Sequence, residues 1–385
     1  MSRIPKLKIY FFTHYVSMNG ANTSLYFLLL YLKEKAEIKV FISGRGNEKS
    51  GLHKELEKVG IPNKIVRLQP FLYYSGIKSL LAIPLKILMN LPTWFSLYSE
   101  LKKQKVDWIY SNSSVENTGL LMSKLLRKKH LWHIREFGFK DYGYHHLGGD
   151  KGKRAIFNKS NQLVAISNSI ANYIDLPEIT EIVHNGIFFE HEISGLKTKN
   201  DLPSYVHLGM VGIIGPMKNQ KRALKLIDNV LRSGFRNLHL HFYGGVANNE
   251  YLKEIKDMIA VNELSGHVTL HGFVDDQTDI YEQIDILLMC SPSEAFGRVT
   301  VEAMAYGIPV LGYDNAGTSE LIKNGYNGLL YNDENLALEN VFDMLVQGDS
   351  NYKNLSENAK QSAYKYTVER YGGRILDLLN TIYDK

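Results

Sequence analysis

Short apolar runs, many of them ending at glycine, serine or asparagine, alternate with helix-compatible segments along the whole chain. The first half has such runs at 7–13, 38–43, 64–67, 107–111, 130–134, 162–166 and 181–184, with helical stretches at 25–32, 51–59, 76–104 and 115–128. Runs of four to seven apolar residues read as strands buried on both faces. Strands that alternate with helices are joined in parallel, with helices covering both sides of the sheet. The pattern restarts at 205–211, with a helix from 221, strands at 237–243, 268–274 and 284–289, and helices at 299–306, 334–347 and 351–382. Ligands of such sheets meet the carboxyl ends of the strands, so the loops after each apolar run are where chemistry belongs.

A chain of 385 residues is too long for one ordinary core and suits two domains. The polar stretch 190–203 reads as a linker between 1–189 and 204–365, with a final helix at 366–385.

The stretch 291–310, SPSEAFGRVTVEAMAYGIPV, follows the apolar run 284–289 and places Glu294 and Glu302 eight positions apart around Gly297. A strand therefore ends in a turn that opens a helix. The unpaired N–H groups and the dipole at that helix start favour an anion, and glycine lets a phosphate approach the backbone. Glu302, one turn into the helix, would then reach a ribose diol, and Glu294 would face the other side of the phosphate. The spacing alone is a weak signal, since two solvated surface glutamates would show it equally well.

The context is more specific. Glu294, Phe296, Gly297, Glu302 and the run to Val310, followed by NAGTSE at 315–320 and NGYNGLL at 324–330, resemble retaining glycosyltransferases of the GT-B fold, family 4. The resemblance implies an α/β protein of two Rossmann-like domains facing across a cleft, the second binding a nucleotide sugar and the first an acceptor. Glu294 would sit by the donor sugar, Glu302 on the ribose, and Phe296, Gly297, Arg298, Val299 and Thr300 against sugar and phosphates. Phe273 and Val274 would lie beside the base. The family's Gly-Gly stands here as Gly20 and Ala21, and its sugar-contacting histidine matches His133, which the sequence alone reads equally as a satisfied, semi-buried histidine. The resemblance also implies that the last helix crosses back to the first domain.

Lys218, in a Gly/Pro loop at a strand end, has the place and charge to neutralise a diphosphate. The family's arginine five residues earlier is Ile213 here, which leaves either Arg298 to compensate or a donor held less by charge. Arg135 and Glu136 read either as an ion pair or as part of the acceptor site. With His133, Lys218 and Glu294 as catalytic residues, the expected reaction moves a sugar from a nucleotide diphosphate sugar to a sugar, glycan or lipid-linked acceptor, in surface polysaccharide or glycoconjugate synthesis. No cofactor is expected. No D-x-D pair occurs in the sequence, so no metal is expected either. An epimerase and a phosphorylase share such folds, but the glutamate pair argues against the first and no pyridoxal-phosphate lysine motif supports the second. A catalytically silent module guiding a membrane partner is the reading from another class.

Charge divides the chain. Residues 1–200 carry 29 Lys and Arg against 16 Asp and Glu, a net of +13, and the remainder is net negative. An anionic partner for the first domain follows: a membrane surface, a lipid pyrophosphate or a nucleic acid. Residues 73–95 mix aliphatic and aromatic side chains with Lys78 and Lys86, and Lys102, Lys103 and Lys105 follow, which suits reversible docking on an anionic membrane, while packing into a core is the commoner fate of such apolar side chains. Nucleic acid is not expected, because no basic motif carries interleaved stacking residues. The single cysteine, Cys290, suits a reducing compartment. The apolar run near the N-terminus is too short for a signal peptide, and no stretch of about 18 residues is both uncharged and apolar throughout, so no membrane-spanning segment is expected. The expected location is the cytoplasm, at the inner face of the plasma membrane.

Overall fold

The segment Lys8–Thr13 is an interior strand of the first sheet, and its alternate side chains enter two different cores. In the computed structural model, which describes the chain outside residues 1–5, 45–49, 70–72, 75–76, 139–140, 142, 147, 200, 333–337, 347–351 and 384–385, the residues divide into two compact units, 1–187 with 368–385, and 188–367.

The first unit runs β1 (Lys8–Thr13), α1 (Gly20–Leu32), β2 (Glu37–Ser43), α2 (Gly51–Lys58), β3 (Asn63–Val66), β4 (Tyr73–Tyr74), α3 (Ile77–Lys102), β5 (Trp108–Asn112), α4 (Asn117–Leu126), β6 (Lys129–Ile134), β7 (Tyr144–His145), α5 (Gly149–Phe157), β8 (Gln162–Ala165), α6 (Asn168–Ile174) and β9 (Thr180–Ile182). Its sheet has the order β3-β2-β1-β5-β6-β8-β9, every pair parallel, while β4 and β7 make a separate antiparallel pair. Ile9 and Phe11 pack with Leu25, Leu28 and Leu29 of α1, and Tyr10 and Phe12 pack on the other face with Leu97 and Leu101 of α3. Burying each such side chain contributes about 1.5–3 kcal/mol, which is why the apolar runs fold as interior strands.

The second unit runs α7 (Glu190–Gly195), β10 (Val206–Val211), α8 (Gln220–Arg232), β11 (Leu238–Tyr243), α9 (Asn249–Val261), β12 (Val268–Gly272), α10 (Gln277–Tyr281), β13 (Ile286–Met289), α11 (Arg298–Ala305), β14 (Val310–Tyr313), α12 (Ala316–Leu321), β15 (Gly328–Tyr331), α13 (Leu338–Val346) and α14 (Tyr352–Ala363). Its sheet order is β12-β11-β10-β13-β14-β15, all parallel. Both sheets therefore reverse direction of winding beside their first strand, between β1 and β5 and between β10 and β13. The closing helix, α15 (Val368–Tyr383), belongs to the first unit, where Tyr371, Ile375 and Leu379 join the core under α1.

Several boundaries differ from those expected. Helix α1 begins at Gly20 instead of near Leu25, because Asn19 caps the N–H of Asn22 at 2.9 Å and the Asn22 side chain donates to the carbonyls of Tyr15 and Ser17. These polar side chains satisfy the helix start that apolar periodicity missed. The stretch read as a linker contains α7, whose Glu192 accepts the N–H of Phe189. The long helix expected over 351–382 is two helices separated by a short 3-10 turn at Tyr364–Tyr366. The expected start of the helix at 334 lies outside the described residues. Helices α5, α9 and α10 lie in stretches where the apolar runs gave no expectation of a helix.

Candidate functional site

Two loops leave the second sheet where its winding reverses. One follows β10 and carries Lys218, whose N–H bonds the carbonyl of Gly215, just before Asn219 turns left-handed and opens α8. The other follows β13 and carries Glu294. The Lys218 ammonium donates to Glu294 Oε2 at 2.8 Å, with both side chains about one-fifth exposed. These two residues, chosen separately from the sequence, thus form a partly shielded ion pair at a topological switch point.

The Glu294 loop is tightly held. The Gly317 N–H at the start of α12 donates to the Glu294 carbonyl at 2.8 Å, and Asn315 donates to the Pro292 carbonyl at 2.7 Å. A Cβ on Gly317 would stand 2.8 Å from the Glu294 oxygen and from the Phe296 backbone, so only glycine allows this approach. Gly297, at φ +95°, makes the sharp left-handed turn into α11.

Within α11 the Arg298 guanidinium pairs with Glu302 one turn later, Nε to Oε1 at 2.7 Å. Glu302 is almost fully buried and also accepts from Gln277 Nε2 at 3.0 Å and from the Tyr281 hydroxyl at 2.8 Å. Burial first, and the Glu302 charge second, push the Tyr281 phenol well above its usual range, so it stays a donor. Two donors meet Oε1 and one meets Oε2, which leaves Oε2 able to accept another. Gln277 and Tyr281 carry no sequence signal of their own, and only the fold brings them to Glu302. Arg298, expected as a compensating charge for Ile213, is engaged by that carboxylate, while Ile213 is itself exposed.

The remaining predicted residues spread around this turn. Phe296 is buried, its ring edge-on to Tyr366 at 5.8 Å, and Val299 is partly buried in the core beside Ala303 and Met304. The hydroxyls of Thr300 and Thr318, at the starts of α11 and α12, and of Ser291 are buried with no hydrogen-bond partner among the described residues. Buried hydroxyls are normally paired, so these three stand as unspent polar groups near the Glu294 loop. Phe273 and Val274 follow the edge strand β12; Phe273 is 77% exposed and Val274 is partly buried.

In the first unit, Gly20 and Ala21 form the first turn of α1, and the Asn112 amide reaches the Ala21 carbonyl at 3.3 Å. His133, in β6, is fully buried. Its Nδ1 takes the Tyr110 hydroxyl and lies 3.4 Å from Arg135 Nη2, while Nε2 has no partner among the described residues. Burial, then the Arg135 charge, hold the imidazole well below its usual pKa, so it is neutral at pH 7. Arg135 and Glu136 do not pair with each other. Arg135 bonds Asn112 (2.6 Å), Asn185 (2.5 Å) and Tyr371 (2.8 Å), whereas Glu136 accepts from Ser113 (2.5 Å) and from the Ser114 N–H (2.7 Å) and hydroxyl (2.6 Å). Among the described residues no three His, Cys, Asp or Glu side chains converge as metal ligands.

Comparison with known proteins bears on this geometry. An uncharacterized glycosyltransferase of Methanocaldococcus jannaschii is 29% identical over 217 residues, 55% of this chain and 57% of the relative, so the chain spans a little over half of that protein's length. A Campylobacter jejuni protein named GalNAc-alpha-(1->4)-GalNAc-alpha-(1->3)-diNAcBac-PP-undecaprenol alpha-1,4-N-acetyl-D-galactosaminyltransferase is 22% identical over 380 residues, 97% of this chain and 98% of the relative. The crystal structure of Anabaena HepE in complex with UDP superposes with a TM-score of 0.78 at 20% identity, covering 97% of this chain and 100% of that one. That likeness identifies the pair of parallel-sheet α/β units as the GT-B fold. The family described as Glycosyl transferases group 1 matches residues 197–362, and the Lys218–Glu294 pair, Gly297 and Glu302 all fall inside the matched span.

Proposed function

We propose that this protein is a retaining, metal-independent glycosyltransferase of family 4 that moves a sugar from a nucleotide diphosphate sugar to an acceptor hydroxyl in glycan synthesis, acting in the cytoplasm. The observation that carries the reading is the Lys218–Glu294 pair at the switch point of the second sheet, one loop from the α11 N-terminus.

Departure of the nucleoside diphosphate builds negative charge on its phosphates and positive character on the anomeric carbon. Lys218 and the N–H groups of α11 meet the first charge, and Glu294 holds the sugar whose carbon bears the second. The donor phosphate takes the Lys218 ammonium from Glu294, releasing the carboxylate for a sugar hydroxyl. Glu302 Oε2 accepts from the ribose diol, with Arg298, Gln277 and Tyr281 fixing its direction. A same-face attack lets the leaving phosphate take the acceptor's proton, so no protein nucleophile is required. UDP in the complex of Anabaena HepE supports a uridine diphosphate donor.

The test is to incubate the purified chain with a panel of nucleotide sugars, with and without chelator, and to follow nucleoside diphosphate release and the anomeric configuration of product. Release in chelator with retained configuration is expected. No release with any donor would favour a silent binding module, and inversion or dependence on added metal would overturn the mechanism.

A further inference from the structure

Helix α3 wears its apolar face outward. On a helical projection Leu81, Leu88 and Phe95 fall on one line at seven-residue spacing, flanked by Leu85 and Leu91, and they are 71%, 62% and 74% exposed at the three central positions. The opposite face turns toward the fold: Leu97 and Leu101 sit in the core, Asn90 is buried with its amide bridging the N–H and carbonyl of Gln69 at 2.8 and 3.0 Å, and Thr93 donates to the Arg67 carbonyl. Leu80–Lys102 is long and apolar enough to cross a bilayer by length and composition, with a mean hydropathy of 1.4 over its most apolar 18 residues, yet only 11% of those residues are buried. A contiguous row of this kind is far more than a solvated surface ordinarily carries.

We propose that the outer face of α3 lies in the surface of an anionic membrane, parallel to its plane. This goes beyond sugar transfer, and it stands whether or not the transfer reading does. Charge selects the occupant. The same line of the projection continues from Phe95 to Lys102, and Lys102, Lys103 and Lys105 are exposed at the end of the helix, within a half-chain of net charge +13. Apolar side chains entering the acyl boundary with lysines at headgroup level are the pattern of an interfacial helix on anionic lipid. Crossing the bilayer is opposed by the anchoring of the helix. Glu100 is clamped by Lys39 and Lys64 at 2.6 and 2.7 Å, and the last turns are packed into the sheet, so insertion would tear out Leu97, Leu101 and the buried Asn90.

The experiment is sedimentation of the full chain with vesicles of phosphatidylcholine alone or mixed with phosphatidylglycerol, at low and high salt. Binding is expected only to the anionic vesicles, weakened by salt. Replacing Leu81, Leu88 and Phe95 together by Gln should lower vesicle affinity more than tenfold. Replacing Lys102, Lys103 and Lys105 by Gln should lower it on the order of 100-fold at low salt and flatten the salt dependence. Circular dichroism and the thermal midpoint of both variants should match the parent, since the substituted side chains face outward. Equal binding to neutral vesicles, unchanged binding of the apolar variant, or no binding at low salt would overturn the proposal. So would resistance to alkaline extraction, which marks a spanning helix, or a dimer abolished by the apolar substitutions without vesicle binding, which marks a second copy as the occupant.

Discussion

Lys218 Nζ lies 2.8 Å from Glu294 Oε2, so the cation suited to a leaving diphosphate is neutralised by the carboxylate suited to the sugar. A donor has to exchange this contact for its own phosphate and hydroxyl groups, which links binding of the two halves of the donor. Replacing Lys218 by Ala should slow turnover by about 2–4 kcal/mol of barrier, the usual cost of one preorganised electrostatic partner. Replacing Glu294 by Ala should slow it comparably while bare UDP binds as tightly as before or tighter, because Lys218 is set free. Calorimetry and steady-state kinetics on both variants decide it, and weaker UDP binding by Glu294→Ala would assign that glutamate to the nucleotide.

Glu302 is a different case, since three donors converge on a buried carboxylate. Glu302→Ala removes the carboxylate that Arg298, Gln277 and Tyr281 share, and breaking a largely buried pair of this kind costs up to about 3–5 kcal/mol. Glu302→Gln keeps the shape and should be milder. Both variants should weaken UDP and the donor together, because a ribose contact is common to the two. The thermal midpoint with and without UDP separates the stability loss from the binding loss.

Gly317→Ala tests how far Glu294 depends on its support. The added carbon would meet backbone atoms of Glu294 and Phe296 at 2.8 Å, and backbone cannot swing away as a side-chain tip can. The loop has to move by a few tenths of an ångström or more, and misplacement of a catalytic group by 1 Å costs about 10²-fold. A fall in kcat of about 10- to 100-fold is expected, with UDP affinity changed much less. An unchanged kcat would show that the loop position is not critical.

Acid should weaken the first unit. Burial holds His130 down to about 3 and His146 to about 4, and it lowers His14 and His133 as well. Above about pH 6.5 neither folded nor unfolded chain carries these protons. As pH falls through that value the unfolded chain takes up protons that the fold refuses, so stability is lost on the order of 1 kcal/mol per pH unit for each net proton. Glu116, raised by burial to about 7, acts in the opposite sense between pH 4.5 and 7, but it is one group against four. Trp94, Trp108 and Trp132 all lie in this unit, so tryptophan fluorescence reports its unfolding alone. The urea midpoint should drop from pH 6.5 to 4.5, and more steeply for Glu116→Gln. A midpoint that is flat or rises on acidification would contradict the assignment.

The division between sequence and tertiary structure follows from distance along the chain. Apolar runs such as 7–13 and 284–289 carry their own reason to be strands, and Gly297 before a helix-forming segment carries its own turn, so the two parallel-sheet units and the Glu294–Glu302 helix start were legible locally. Capping is nearly as local, yet Asn19 and Asn22 moved the start of α1 because polar side chains, not apolar spacing, set that end. What the sequence could not express is which distant groups meet. Lys218 and Glu294 are 76 positions apart, and Tyr281 and Gln277 reach Glu302 only because the crossovers around β13 stack those loops. Arg135 likewise finds Tyr371, 236 positions away, instead of its neighbour Glu136. The same holds for α3, whose composition fits a core helix or a membrane-surface helix equally. Only the packing of Leu97 and Leu101 inward decided that Leu81, Leu88 and Phe95 face out, because a side chain is buried by what lies opposite it and not by its own polarity.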